Sequence, residues 1–397
     1  MSEKTKKKLA LVTTIWGWRN HANHMGERFL NGYPCDGKWH RPAMDIAGVY
    51  VEQTPEGDLS RQRADKHGFA IYPTIAEAVC LGGDELAVDG ILLIAEHGEY
   101  PVNEKGQKLY PRYEFFTEIT EVFRASGRSA PIFNDKHLSY SFSKAQRMMA
   151  VSKELQFPLL AGSSLPVTFR LPPLELPLES EVKNALMIGV GGSDAMDYHA
   201  LEAMQCMIER RRGGETGVAA VQLIEGDEVW RAGEDGRWSR RLLEGALARS
   251  DSRSGIALSD GRPQDLAHSD ELQQLVENPS AYFIEYNDGT CATLLMLNGA
   301  VSDWTFAAEV GGEVLSTQFL LPPQPNVTYS ACLMAKAEEM FVTGRAPYPA
   351  ERTLLVSGML ERCLESRFSG HIRLATPELD VRYKAPPTSQ FCGALAR

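Results

Sequence analysis

The chain has 397 residues, 43% hydrophobic and 23% charged, enough to bury a sizeable core and, at ordinary domain sizes, to form two domains. Its formal charge of −11 and pI near 5.4 argue against a nucleic acid or an anionic membrane as partner, because the summed field repels phosphates. No window approaches the roughly 18 apolar residues that span a bilayer, and residues 1–8 are charged with no apolar signal core behind them, so the expected setting is cytoplasmic.

Residues 8–14 (KLALVTT) and 45–52 (DIAGVYVE) are short apolar runs of the kind that parallel strands buried on both faces require. Residues 59–68 and 75–81 read as helices, 88–95 (VDGILLIA) as a third strand, 113–125 as a helix and 130–133 as a strand. Residues 143–155 read as a further helix and 158–162 as a strand. Strand and helix alternate throughout, which is the doubly wound pattern. From residue 166 the pattern changes: a proline-rich tract, a glycine-rich turn at 189–192, one helix, then alternating runs at 218–225, 282–286, 292–297 and 304–310. Turn signals such as Asn287-Asp288-Gly289 separate them. A mostly antiparallel sheet is expected there, with an irregular polar insertion at 250–271. The predicted division is 1–165 and 166–397. Seven cysteines, odd in number and without CxxC spacing, suggest neither a disulfide framework nor a cysteine zinc site.

Two stretches carry a resemblance. Residues 131–164, PIFNDKHLSYSFSKAQRMMAVSKELQFPLLAGSS, put Asp135-Lys136-His137 where a strand would end in Glu-Lys-Pro, and residues 191–202, GGSDAMDYHALE, form a glycine-rich turn leading into a helix with His199 three residues before an acid. Together with the order of elements they resemble the glucose-fructose oxidoreductase and inositol dehydrogenase family (Gfo/Idh/MocA). The resemblance implies an α/β chain: an N-terminal Rossmann-like doubly wound parallel sheet plus a C-terminal α+β domain for substrate binding and oligomerisation, and hence a homo-oligomer. It further implies that Lys136 and His199, with Asp197 beside the latter, work on a small sugar or cyclitol. Lysine and histidine both have the tunable pKa that proton transfer at a hydroxyl needs.

The departures from that family lie at the strand ends. A dinucleotide-binding turn needs glycines so that the backbone can approach a diphosphate. Here the first strand runs into Ile15-Trp16-Gly17-Trp18-Arg19, with two bulky rings where the diphosphate would sit. Arg19 is the candidate for holding a phosphate and Glu52 for a ribose hydroxyl. The third strand ends in Glu96-His97-Gly98-Glu99, and His137 replaces the family's proline. His21, His24, Glu96, His97, Glu99, Asp135, His137, Asp194, Asp197 and His199 project toward one crevice, a mixture that suits Zn, Mn or Fe. His97, Glu99, His137 and Asp194 are the expected ligands. Trp16, Trp18, Trp39, Tyr100, Tyr110 and Tyr113 are an aromatic supply on the same side, and Arg112 is a candidate for an anionic substrate group, though a solvated arginine is the commoner case.

Three functions compete. The favoured one is a non-redox, metal-assisted lyase, hydrolase or isomerase of a polyhydroxylated small molecule, with Lys136 and His199 as acid and base. The second is an NAD(P)-dependent oxidoreductase of a sugar or cyclitol with an atypical phosphate loop. The third is a non-catalytic binding protein on the same fold.

Overall fold

The computed structural model describes residues 6–35, 37–255, 265–321 and 329–393; part of the expected insertion, 256–264, lies outside the described residues. The chain divides into two compact units. The first comprises Met1–Val102, Lys108–Ser164 and Pro322–Leu354, the second Asn103–Gln107, Leu165–Leu321 and Leu355–Arg397. The sequence expectation is a single cut near residue 165; the contacts group Pro322–Leu354 with the first unit instead.

The first unit contains β1 (Lys7–Ile15), a small hairpin of β2 (Tyr33–Cys35) and β3 (Lys38–His40), then β4 (Met44–Gln53), β5 (Ala70–Ile71), β6 (Gly90–Ile94), β7 (Ile132–Asp135) and β8 (Leu159–Gly162). Six of these form a parallel sheet in the order β5-β4-β1-β6-β7-β8. The chain lays down β4 and β5 on one side of β1 and then returns to place β6, β7 and β8 on the other, so the strand order reverses at β1. A crevice at the carboxyl ends of β1 and β6 is the place where such sheets bind ligands. The apolar runs of the sequence are buried because helices cover both faces, and every residue of β6 is inside.

Those helices are α1 (Glu27–Asn31), entered through one π-type turn (Ala22–Gly26), α2 (Ser60–His67), α3 (Ile75–Cys80), α4 (Arg112–Ser126) and α5 (Phe142–Glu154). Along α4, Phe115, Phe116, Ile119 and Phe123 recur at helical spacing and are buried, and the helix stops at Gly127, whose left-handed φ of 63° suits glycine. The helix Tyr329–Thr343 belongs to this unit too. Its buried Glu338 accepts hydrogen bonds from the Tyr33 hydroxyl (2.6 Å) and the Ala43 amide (2.9 Å), and its carboxylate lies 2.9 Å from His40 Nε2, which fixes the β2–β3 hairpin.

The second unit contains β9 (Phe169–Leu171), β10 (Val182–Gly189), β11 (Val218–Glu225), β12 (Ser280–Tyr286), β13 (Cys291–Met296), β14 (Trp304–Val310), β15 (Glu313–Leu320) and β16 (Leu374–Ala375). They form one sheet in the order β16-β11-β12-β13-β10-β14-β15-β9, antiparallel except for the β10–β13 pair. The mostly antiparallel sheet expected from the alternating runs is therefore present. Its core gathers Leu186, Ile188, Leu243, Phe283 and Leu295, and α6 (Ala195–Ile208) packs on β10. No helix among the described residues is long and apolar enough to cross a membrane.

Close packing of α3 on β4 depends on Gly48, where an added Cβ would stand 2.3 Å from the Ala78 carbonyl oxygen. Backbone cannot yield as a side-chain tip does, so Gly48→Ala is expected to cost about 1–3 kcal/mol. A urea unfolding curve measures this.

Candidate active site

Three successive features bring charged groups to the carboxyl end of the parallel sheet. After β1 the chain turns at Gly17 to Asn20, where the Asn20 amide donates to the Gly17 carbonyl (3.3 Å), and then enters the π-type turn that carries His24, with His21 at its start. After β6 come Glu96 and His97. At the end of β7 stand Asp135, Lys136 and His137. Arg19, His97 and Lys136 all hold a positive φ (62°, 70° and 60°) without being glycine. Such backbone costs on the order of 1–3 kcal/mol per residue and persists where the surroundings impose it. For Lys136 the imposing contact is its own amide, which donates to Gly162 at the end of β8 (3.0 Å).

Glu96 is the hub. Thr14 Oγ1, at the end of β1, donates to its carbonyl oxygen (2.8 Å) and so ties the two central strand ends together. One carboxylate oxygen accepts from Lys136 Nζ (2.7 Å), and the other is held by Arg112. Arg112, fully buried at the start of α4, also lies 3.0 Å from His137 Nε2 through Nη1 and rests over the Tyr110 ring. Lys136 Nζ additionally lies 3.2 Å from His21 Nε2, and His21 Nδ1 lies 2.5 Å from Asp135 Oδ2. A continuous buried line thus runs Asp135, His21, Lys136, Glu96, Arg112, His137.

Burial and charge set the protonation of this line. Burial alone would push Glu96 up, but the Lys136 and Arg112 cations reverse that and hold it well below the usual carboxylate range. Burial, reinforced by Lys136, holds His21 well below the ordinary imidazole value. Burial and His21 do the same for His24, and burial lowers His97. Burial raises Asp135. The His21 ring meets those of His24 and His97 edge-on at 4.8 and 4.9 Å. Buried His24 Nδ1, His97 Nε2 and Asp135 Oδ1 have no protein partner. Buried polar atoms normally have one, so a group of them at strand ends marks a place where a ligand or water is received.

No protein-family model matches the sequence, and no curated protein aligns with it significantly. Solved structures do. GenD2 from gentamicin A biosynthesis, in complex with NAD, superposes with a TM-score of 0.57 at 11% identity over 94% of this chain and 98% of that one. Myo-inositol dehydrogenase from Lactobacillus casei, in complex with NAD(H) and myo-inositol, gives 0.56 at 9% identity over 97% and 99%. Myo-inositol 2-dehydrogenase from Lactobacillus plantarum gives 0.54 at 10% over 93% and 99%. The chain has the fold of these dehydrogenases. At these identities it is the fold that is shared.

The expectation of a transition metal in preference to a dinucleotide is overturned. Structures of this fold are solved with NAD and NAD(H), and no three His, Cys, Asp or Glu side chains among the described residues group as a metal requires. The physical reason is in the pairing. His137 Nε2 faces the Arg112 guanidinium, and Glu96 is neutralised by two cations, so a divalent ion would enter beside positive charge. His97 reaches His21 but not an acid array, and Glu99 is exposed on the turn after β6. Asp194 caps α6 in the second unit, where its side chain and that of Asp197 bond each other's backbone amides.

The remaining predicted residues fall as follows. Lys136 is buried at the heart of the line, Arg19 is exposed at the turn after β1, and exposed Glu52, near the end of β4, accepts from the Tyr100 hydroxyl. His199 and Asp197 both lie in the first turns of α6, and burial raises Asp197. Of the two tryptophans expected to crowd that turn, Trp16 is wholly buried and stacks on Phe69 at 5.8 Å, whereas Trp18 is 71% exposed. Arg112 is no solvated arginine. Its role has no local signal, since the position after Pro111 reads only as a helix start and its partner lies 16 residues back on another element.

Lowered pKa values on His21, His24 and His97 mean that the folded state binds fewer protons than the unfolded chain as pH falls below 6.5. Their contribution to stability is present above that value and is lost as pH drops toward the folded-state values. Melting temperature is therefore expected to fall from pH 7 to pH 5 with a slope corresponding to more than one proton, and His24→Gln is expected to flatten it. Thermal melts across that range, with variant and wild type side by side, provide the check.

Proposed function

We propose that this protein is a nicotinamide-dinucleotide-dependent oxidoreductase of a polyhydroxylated small molecule, a sugar or a cyclitol, with Lys136 as the group that moves the hydroxyl proton. The observation that carries this reading is Lys136 itself. It sits at the end of β7 in a left-handed backbone, buried, with Glu96 and His21 taking two of its three N–H directions and the third left for a substrate oxygen. Glu96, itself held by Arg112, keeps the Lys136 side chain in place without relying on solvent. By the sequence resemblance, His199, two residues after Asp197 on α6, is a second acid–base candidate.

The residues at the strand ends fit a dinucleotide. Trp16 is turned into the core, and Arg19 stands exposed on the turn after β1, beside exposed Trp18, in a backbone that normally calls for glycine. A guanidinium there binds phosphate oxygens in bidentate fashion. Glu52 would take a ribose hydroxyl, and the free nitrogens of His24 and His97 would meet polar groups nearer the reacting end. The cofactor supplies a hydride acceptor when bound; the chain's part is to orient the hydroxyl, hold its proton on Lys136 and exclude water. One observation favours a second reading, an acid–base enzyme that uses no dinucleotide: Asn23 Oδ1 accepts from the Arg19 amide (3.0 Å) and Asn20 Oδ1 from the Asn23 amide (3.1 Å), so amides that elsewhere hold a diphosphate are already satisfied.

Calorimetric titration with NADH and NADPH separates the two, followed by a panel of inositols and sugars assayed for absorbance at the reduced nicotinamide. Saturable binding is expected, weakened about tenfold or more in Arg19→Ala, as for loss of a charge-assisted contact of about 1.5–3 kcal/mol. No binding of either dinucleotide at millimolar concentration would select the second reading.

A further inference from the structure

We propose that His21, backed by Asp135, is the relay through which Lys136 exchanges its proton with the outside of the buried line. This rests on the reading of Lys136 as the proton-transfer group. Lys136 cannot reach water directly: its side chain is 4% exposed and its hydrogen-bond partners are Glu96, itself buried, and His21. Of the two, Glu96 is an ion-pair anchor shared with Arg112. His21 is different, because its side chain is 13% exposed and its nitrogens face Lys136 and a fully buried carboxylate; a lysine that donates to Nε2 puts the ring proton on Nδ1, toward Asp135. That arrangement, base to imidazole to carboxylate, is what steadies an imidazole that gains a proton for part of a cycle. The transfer is of protons alone. The Nζ–H that faces His21 breaks first and Nε2–H forms on His21, which leaves Lys136 a neutral amine with a lone pair. Once the amine has rotated that lone pair toward the substrate, the substrate O–H breaks and a new N–H forms there. The imidazolium so made is balanced by Asp135 and gives its proton to water at the exposed part of the His21 side chain. The groups that face His21 are Asp135 and Lys136 from the end of β7, Glu96 and His97 from the end of β6, Arg112 from α4, and His24 on its own turn.

Two measurements on the full chain, neither needing substrate or cofactor, decide it. In histidine-15N-labelled protein, long-range 1H–15N spectra are expected to show neutral His21 with its proton on Nδ1 and an acceptor-type Nε2 that loses this character in Lys136→Met; a proton on Nε2 in the wild type overturns the proposal. In lysine-15N-labelled protein, hydrogen exchange at the Lys136 ammonium is expected to slow about tenfold or more in His21→Gln. Exchange at an unchanged or faster rate overturns it, because a merely structural His21 would leave exchange unaltered or, on loosening the site, accelerate it. Failure of dinucleotide binding would bear on the functional reading and on neither spectrum.

Discussion

The structure at the sheet's carboxyl end depends on one ion-paired carboxylate. Glu96 lies where β6 runs out, buried among apolar strands, in a position that a lone charge could not occupy. It is tolerable there because Lys136 and Arg112 neutralise it from two sides, and the three groups then constrain each other. Lys136, in the left-handed backbone that its amide bond to Gly162 imposes, is held by Glu96 over the strand ends. Arg112 is drawn in at the head of α4, which orients His137. Removing any one partner leaves the others charged and dry, so the three groups hold one another in place.

The charge balance of the line also explains why it is unsuited to a metal and suited to proton transfer. Lys136 and Arg112 face two carboxylates, and the histidines among them are kept neutral chiefly by burial. Neutral imidazoles beside an ammonium are proton acceptors in waiting, whereas metal ligands would need several anions without competing cations. The same acids and histidines that suggest a metal when counted therefore describe an acid–base site when paired.

That difference marks what the sequence could and could not tell. The parallel strands were legible because burial on both faces demands uninterrupted apolar runs, as in β1 and β6, and the antiparallel sheet was legible from alternation and the Asn287-Asp288-Gly289 turn. Lys136 was singled out by resemblance, through the Asp135-Lys136-His137 tripeptide, but its burial beside Glu96 was not legible. Pairing was not: Arg112 meets Glu96, and His21 meets Asp135 across 114 residues, and nothing local in either segment specifies the partner. The direction of Trp16 was equally hidden, because a tryptophan after a strand fits either a core or a cleft, and Phe69, on which it stacks, lies between α2 and β5.

The account stands on Lys136 as the reacting centre of a dinucleotide-dependent enzyme. Cocrystallisation with NADH tests it most directly, read at the carboxyl end of β7. The account predicts the diphosphate against Arg19 and the nicotinamide within about 4 Å of the Lys136 side chain, the range in which reacting groups are brought together. NADH bound with its nicotinamide away from Lys136, or no NADH in crystals grown at saturating concentration, would contradict it.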